Sequence, residues 1–216
     1  MKRSELLFQK TKRLWDETAD HPFVTAMADG TLEARRFKAY MLQDYYYLKE
    51  YIEILEQMEA HASDETAAFL KKAAQSTRDE MNAVHMQHMK QLGITTREIQ
   101  TTGKAPVCAE YLQYLRKTAQ KGTVQGLTAL LQCSWSYAYI ARTVADRHRN
   151  ELADSPYVGW FLSYTSEEYT NANAEWIDVL DRETEHIPRD EIKPLFLIFE
   201  TCAQYENRFW NLFLES

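Results

Sequence analysis

Glycine and proline are scarce in this chain, six and five among 216 residues, roughly half their usual combined share of about 12%. Sandwiches and barrels need a turn every ~8–12 residues, and collagen-like or Pro/Gly-rich disordered chains need far more of both residues. All of these are excluded. Long apolar runs are missing as well. Stretches such as Leu195 to Phe199 end after five residues, against the ~20 that a membrane helix requires. Only three cysteines occur, widely spaced, which makes neither a disulfide framework nor a CxxC metal site. Positive charge is in deficit, 25 Lys and Arg against 32 Asp and Glu, for a net charge of −7. That balance disfavours broad, salt-driven binding to nucleic acid or anionic membrane. The opening MKRSELLFQKTKR is basic but has no apolar h-region, and Glu5 and Asp16 argue against a transit peptide. A cytoplasmic protein is expected.

What the chain does have is a 45% apolar content, enough to fill a substantial core. No repeat, low-complexity segment or composition break appears, so residues 1–216 read as a single domain. Ser4 is the expected cap of a first helix towards Asp16, with Leu7, Thr11, Leu14 and Trp15 on one side. His21-Pro22-Phe23 turns the chain, and Thr31 caps a long helix with Arg35 to Ala60 as its body. Ser63 opens another, which Gly93 closes. Val107 to Gln120 reads helical, as does Thr123 to Arg149. Ser155-Pro156 starts a helix that persists to about Leu180, kinked near Tyr164 to Ser166. A last helix begins between Pro188 and Pro194 and runs to the end. No alternating strand pattern exists. The expected architecture is all-α, a bundle of roughly seven or eight helices.

Polar residues on the apolar stripes carry the functional information. Phe37, Tyr40, Asp44, Tyr47 and Tyr51 follow the three–four spacing of one helix face. Asp44 therefore sits in an aromatic seam, where a lone carboxylate is costly. Gly126, Leu130, Cys133, Tyr137 and Ile140 share a stripe, and the glycine allows close backbone approach. On the last helix Phe199, Cys202, Glu206, Phe209 and Phe213 do the same, with Trp210 adjacent. Each feature has a plain structural reading too. A buried cysteine is usually a small hydrophobe, a buried acid can cap a helix or pair with arginine, and a tyrosine stripe can be simple core. Two carboxylates, a thiol and several phenols turned inward on three helices point instead to a closed small-molecule pocket.

Other candidates are weaker. His85 and His88, with Glu80 upstream, resemble metal ligands on a helix. A di-iron bundle needs carboxylates and histidines from several helices; Asp146-Arg147-His148 has the wrong spacing and His186 is isolated. No metal is expected. Cys108 has no evident partner, and Lys71-Lys72 and Arg147 to Arg149 read as solvated charge.

These residues also fall in a recognisable order. His21-Pro22-Phe23-Val24, Asp29-Gly30-Thr31-Leu32, Arg36-Phe37, Tyr40 and Leu42-Gln43-Asp44-Tyr45-Tyr46-Tyr47-Leu48 closely resemble the opening signature of the TenA family, thiaminase II. Tyr111, Cys133-Ser134-Trp135-Ser136-Tyr137, Trp160 to Tyr164 and Glu206-Asn207-Arg208-Phe209-Trp210 follow in family order, so the resemblance covers essentially the whole chain. The Cys-x-Trp-x-Tyr and Glu-x-x-Phe-Trp pieces are weak alone and strong together. Ala141 stands where the family would have a glycine, away from the matched site positions. Cys133 places the chain with the cysteine-bearing group.

The resemblance implies a haem-oxygenase-like all-α fold without haem or other cofactor, commonly a homotetramer. The implied activity is aminopyrimidine aminohydrolase, which converts 4-amino-5-aminomethyl-2-methylpyrimidine to the hydroxymethylpyrimidine with loss of ammonia in thiamin salvage. Many members also cleave thiamin. By the family match Cys133 is the nucleophile, splitting one hard displacement into easier steps. Glu206 faces the ring nitrogen and amine, a place suited to acid work. By the same match the substrate-binding residues are Asp44, which binds polar ring or amino atoms, Tyr47 and Tyr137, which orient the thiol and water, and Tyr111 and Tyr164, which line the ring or hydrogen-bond it. Two rivals use the same scaffold. A metal-dependent oxidase needs a full ligand set, and the chain from Trp160 onward offers only His186. A non-catalytic pyrimidine-binding protein has no need of both Cys133 and Glu206.

Overall fold

Local residues cap most of the helices that carry a side-chain cap, among them Ser63 and Ser166, while the start of the first helix is held by an acid from a distant helix. The computed structural model describes residues 2–188 and 191–214, with backbone alone at 83 and 84. Among them are twelve α-helices and no strand. In order these are α1 (Arg3–Ala19), α2 (Pro22–Ala28), α3 (Ala34–Glu59), α4 (Asp64–Glu80), α5 (Met86–Gln91), α6 (Thr96–Thr101), α7 (Pro106–Ala119), α8 (Thr123–Arg147), α9 (Arg149–Ala153), α10 (Val158–Thr165), α11 (Glu167–Glu183) and α12 (Lys193–Asn211). A π-helical turn, Met81–His85, joins α4 to α5. The all-α class matches the sequence reading. The count exceeds seven or eight because α2, α6 and α9 are pieces of one or two turns and longer stretches are interrupted.

Contacts divide the chain into two units: Met1–Leu32 with Leu127–Asn211, and Glu33–Gly126 with Leu212–Ser216. In the first, Trp15 of α1, Trp135 of α8 and Phe199 of α12 form an aromatic core, Trp15 lying 5.4 Å from Trp135 and 5.9 Å from Phe199 between ring centroids. Ser4 is inside α1 rather than its cap. Its backbone N–H and hydroxyl donate to the two carboxylate oxygens of Asp181 on α11, at 2.9 and 2.7 Å. An acid from another helix thus satisfies donors that the first turn leaves open.

The Asp29-Gly30-Thr31-Leu32 block is a turn. The Asp29 carboxylate accepts from the Thr31 N–H and hydroxyl at 2.9 and 2.6 Å, and Gly30 adopts φ +75° with its open side 3.3 Å from the Pro156 ring. Thr31 is therefore held by Asp29, and Glu33 precedes the first turn of α3 instead. Ser155 does not cap a helix. Its hydroxyl donates to the Met27 carbonyl at 2.6 Å and accepts from the Tyr157 N–H at 3.1 Å, and α10 starts at Val158. The kink expected near Ser166 is a full break: Ser166 ends α10 and caps α11, its hydroxyl accepting from the Tyr169 N–H at 3.1 Å.

In the second unit α3 packs along α4 and α7. Ser63 caps α4 as expected, accepting from the Thr66 N–H. Gly93 closes α5 with a Schellman pattern, Ile94 N–H to Met89 O at 2.9 Å and Gly93 N–H to Lys90 O at 3.1 Å. A methyl added at Gly126 would meet the Met58 thioether at 2.6 Å and the Ala119 Cα at 3.2 Å, so the close approach expected of this glycine is present. The start of the last helix between Pro188 and Pro194 falls partly outside the described residues; within them α12 begins at Lys193.

Candidate active site

In the second unit, the α3 face forms as its spacing requires. Phe37, Tyr40, Asp44, Tyr47 and Tyr51 are all buried. Tyr47 meets Tyr111 of α7 at 5.4 Å between ring centroids, which places two of the predicted substrate-binding residues together one turn beyond Asp44. Tyr40 donates its hydroxyl proton to Asp44 Oδ2 at 3.4 Å. Burial pushes the Asp44 carboxyl up to about 7, with the Tyr40 hydroxyl opposing the rise. Asp44 therefore holds a proton through much of the neutral range.

A residue that sequence reading set among weak metal candidates stands opposite this carboxyl. His85 Nδ1 lies 3.6 Å from Asp44 Oδ2, and His85 Nε2 lies 3.2 Å from the Met41 carbonyl oxygen. Burial drives the imidazole down to about 4, with the Met41 carbonyl opposing, so His85 is neutral at pH 7. It closes the π-helical turn, a feature frequent at functional sites. The one sequence signal was a histidine preceded by helical periodicity; its facing Asp44 was not legible.

In the first unit, Cys133 lies on α8, half-buried, four residues before Tyr137. The Tyr137 ring packs 5.1 Å from Tyr164 of α10, 5.9 Å from Trp160 and 5.6 Å from Trp210 of α12. Glu206, 4% exposed, is one turn before Trp210 on α12. The predicted thiol, acid and two phenols therefore sit within one or two turns of a single aromatic cluster. Cys202, also buried, is one turn before Glu206. Phe213 lies beyond the end of α12, where its ring meets Tyr40 edge-on at 5.8 Å.

Polar contacts that sequence reading missed hold the Cys133 segment. The Ser134 hydroxyl donates to Asn173 Oδ1 at 2.9 Å, and the Tyr169 hydroxyl donates to the Ser134 carbonyl at 3.2 Å. The Ser136 hydroxyl donates to the Cys133 carbonyl at 2.9 Å. Tyr169 and Asn173 are one turn apart on α11, and the Asn173 amide donates to the Tyr169 carbonyl at 3.1 Å. An isolated asparagine in a polar helix gives no sequence signal for such a role.

Comparison with known proteins covers the chain from end to end. The profile of the TENA/THI-4/PQQC family matches residues 8–216. The aminopyrimidine aminohydrolase of Helicobacter pylori is 31% identical over 221 residues, covering 100% of both chains. That of Halalkalibacterium halodurans is 31% identical over 210 residues, 95% of this chain and 92% of the relative. Among solved structures, the TenA homologue from P. horikoshii superimposes with a TM-score of 0.88 at 30% identity, over 99% of this chain and 98% of that one.

Proposed function

This chain belongs to the TENA/THI-4/PQQC family, and from that premise we propose that it is an aminopyrimidine aminohydrolase of thiamin salvage. It converts 4-amino-5-aminomethyl-2-methylpyrimidine and water to the hydroxymethylpyrimidine and ammonia, and it also cleaves thiamin. The observation that carries the reading is the end-to-end likeness to the H. pylori aminopyrimidine aminohydrolase. Supporting it, Cys133 and the buried Glu206 lie one turn from rings of the same aromatic cluster.

The reaction runs through covalent addition. The Cys133 thiolate adds to the ring carbon beside the one bearing the aminomethyl group, while Glu206 gives a proton to the ring nitrogen. The ring electrons then expel the amine, which takes a proton and leaves as ammonia, and an exocyclic methylene remains. Water adds to that methylene, keeping one proton on the new hydroxyl and giving the other to the carboxylate; the thiolate then departs, the ring nitrogen releases the proton it received, and the ring regains aromaticity. One water is consumed: its hydroxyl stays on the product, and the proton released from the ring nitrogen balances the one that ammonia carries away. Splitting the displacement in this way is nucleophilic catalysis, and Glu206 acts as general acid and then base. Asp44 binds polar ring or amino atoms, Tyr47 and Tyr137 orient the thiol and water, and Tyr111 and Tyr164 line the ring or hydrogen-bond it. Good ring–ring contacts add ~0.5–1.5 kcal/mol each beyond area burial.

The working form is a cytoplasmic homotetramer of single-domain subunits that takes a small-molecule pyrimidine and no nucleic acid. The net charge of −7 disfavours nucleic acid as a partner, and no described helix is long and apolar enough to cross a membrane. The test is incubation of purified protein with the aminomethylpyrimidine and, separately, with thiamin, following ammonia and hydroxymethylpyrimidine. Turnover of the aminomethylpyrimidine that collapses in Cys133→Ser is expected. Turnover surviving in that variant would discard the covalent route, and no turnover of either compound would discard the function.

A further inference from the structure

His85 carries a job that the proposed chemistry leaves unassigned. It is 5% exposed and ends the π-helical turn Met81–His85, whose extra residue per turn shifts the helical phase between α4 and α5. A backbone carbonyl can only accept, so the 3.2 Å contact between Nε2 and Met41 O fixes the proton on Nε2. The neutral ring then presents an unprotonated Nδ1, and this atom faces Asp44 Oδ2 at 3.6 Å. The same Oδ2 accepts the Tyr40 hydroxyl at 3.4 Å. An oxygen that accepts one hydrogen bond and faces a bare nitrogen lone pair is matched by a carboxylic O–H, which accepts and donates at once. Oδ1 takes part in neither contact.

We propose that His85 is a positioning residue for Asp44, holding the carboxyl proton on Oδ2 so that Oδ1 stays a pure acceptor for the exocyclic amine of an aminopyrimidine. This rests on the substrate class proposed above. Met41 and Tyr40, three and four residues before Asp44 on the same helix as the carboxyl, complete the arrangement: one fixes the imidazole tautomer and the other fixes Oδ2. Without the Nδ1 lone pair, the proton is free to sit on Oδ1, where it opposes an amine N–H and weakens binding. A hydrogen-bonding partner behind a ligand-binding group sets the tautomer and orientation of the group that meets the ligand.

The experiment has two readouts. In the unliganded, 15N-histidine-labelled protein, His85 is expected to carry its proton on Nε2, and Asp44→Asn is expected to move the Nδ1 resonance. A proton found on Nδ1, or a resonance blind to Asp44, overturns the proposal whether or not the protein turns over a pyrimidine. In kinetics, His85→Leu is expected to raise the KM for the aminomethylpyrimidine about tenfold, the loss of roughly one neutral hydrogen bond, with kcat changed much less. His85→Asn keeps an acceptor near Nδ1 and is expected to recover most of that loss. In an Asp44→Asn background His85→Leu should change KM by less than about twofold, because the two residues act as one unit. Equal KM shifts in both backgrounds, in variants shown folded by circular dichroism, would mean that His85 only fills space. A wild-type protein inactive on both pyrimidines would sink the enzymatic reading, while the nitrogen resonances would still decide the His85–Asp44 geometry.

Discussion

Tyr137, one turn beyond Cys133 on α8, packs its ring 5.6 Å from Trp210, one turn beyond Glu206 on α12. The helices that carry the proposed nucleophile and acid are thus pinned to each other by a ring pair. Replacing either reacting group leaves that pair intact. Glu206→Gln and Cys133→Ser should each lower turnover of the aminomethylpyrimidine by at least about a hundredfold. Thermal midpoints of both should stay close to wild type. A large drop in midpoint alongside the lost activity would mean that the residue is structural instead.

Asp44 and His85 tie stability to pH in opposite senses. The Asp44 carboxyl rises from 3.8 to about 7 in the fold, so its stabilising contribution is full below pH 3.8 and lost as pH climbs to about 7. The His85 imidazole falls from 6.5 to about 4, so its contribution is full above pH 6.5 and lost as pH falls towards 4. Between pH 4 and 6.5 the two slopes cancel in the native protein. Asp44→Asn removes the falling slope, and its stability relative to wild type should rise with pH across this window. Urea unfolding at pH 4.5 and 6.5 measures it; a constant difference between the two proteins would contradict the opposed titrations.

The Asp181 carboxylate holds the start of α1 through the Ser4 N–H and hydroxyl at 2.9 and 2.7 Å. Asp181→Ala leaves those two donors without their partner. Losing a helix-end acceptor of this kind costs about 1–2 kcal/mol. Chemical denaturation should show that loss, with earlier amide exchange confined to the first turns of α1. An unchanged midpoint would show that water replaces the carboxylate without cost.

Gly30 sits at φ +75° against the Pro156 ring. Gly30→Ala forces an L side chain into the left-handed region, a cost of about 1–2 kcal/mol, and presses its methyl on Pro156. The expected result is a lower unfolding midpoint with little change in KM. Gly93→Ala also strains a positive φ, but nothing lies within 4 Å of its open side, so it should cost less than Gly30→Ala.

The α3 face was legible because Phe37, Tyr40, Asp44, Tyr47 and Tyr51 are neighbours along one helix, and spacing of three and four residues alone decides which side they share. Cys133 with Tyr137 and Glu206 with Trp210 were legible on the same ground. Ser4 misled because a serine near a helix start reads as its cap, while the residue that satisfies it, Asp181, is 177 positions away. Thr31 misled because Asp29, two residues earlier, takes its donors first. The sequence shows only a kink near Ser166, not the break, because helical period continues on both sides of it.

Composition and periodicity by themselves determined an all-helical chain, the buried faces of α3, α8 and α12, and the residues that mark the family, since each depends on local spacing or on short motifs. Which polar groups meet was decided only by tertiary packing. Asp44 faces His85 across 41 positions of sequence because a π-helical turn advances the chain out of the α-helical phase. Helical spacing fixes the direction of a side chain around its own axis, and only the packing of one helix against another sets what stands in front of it.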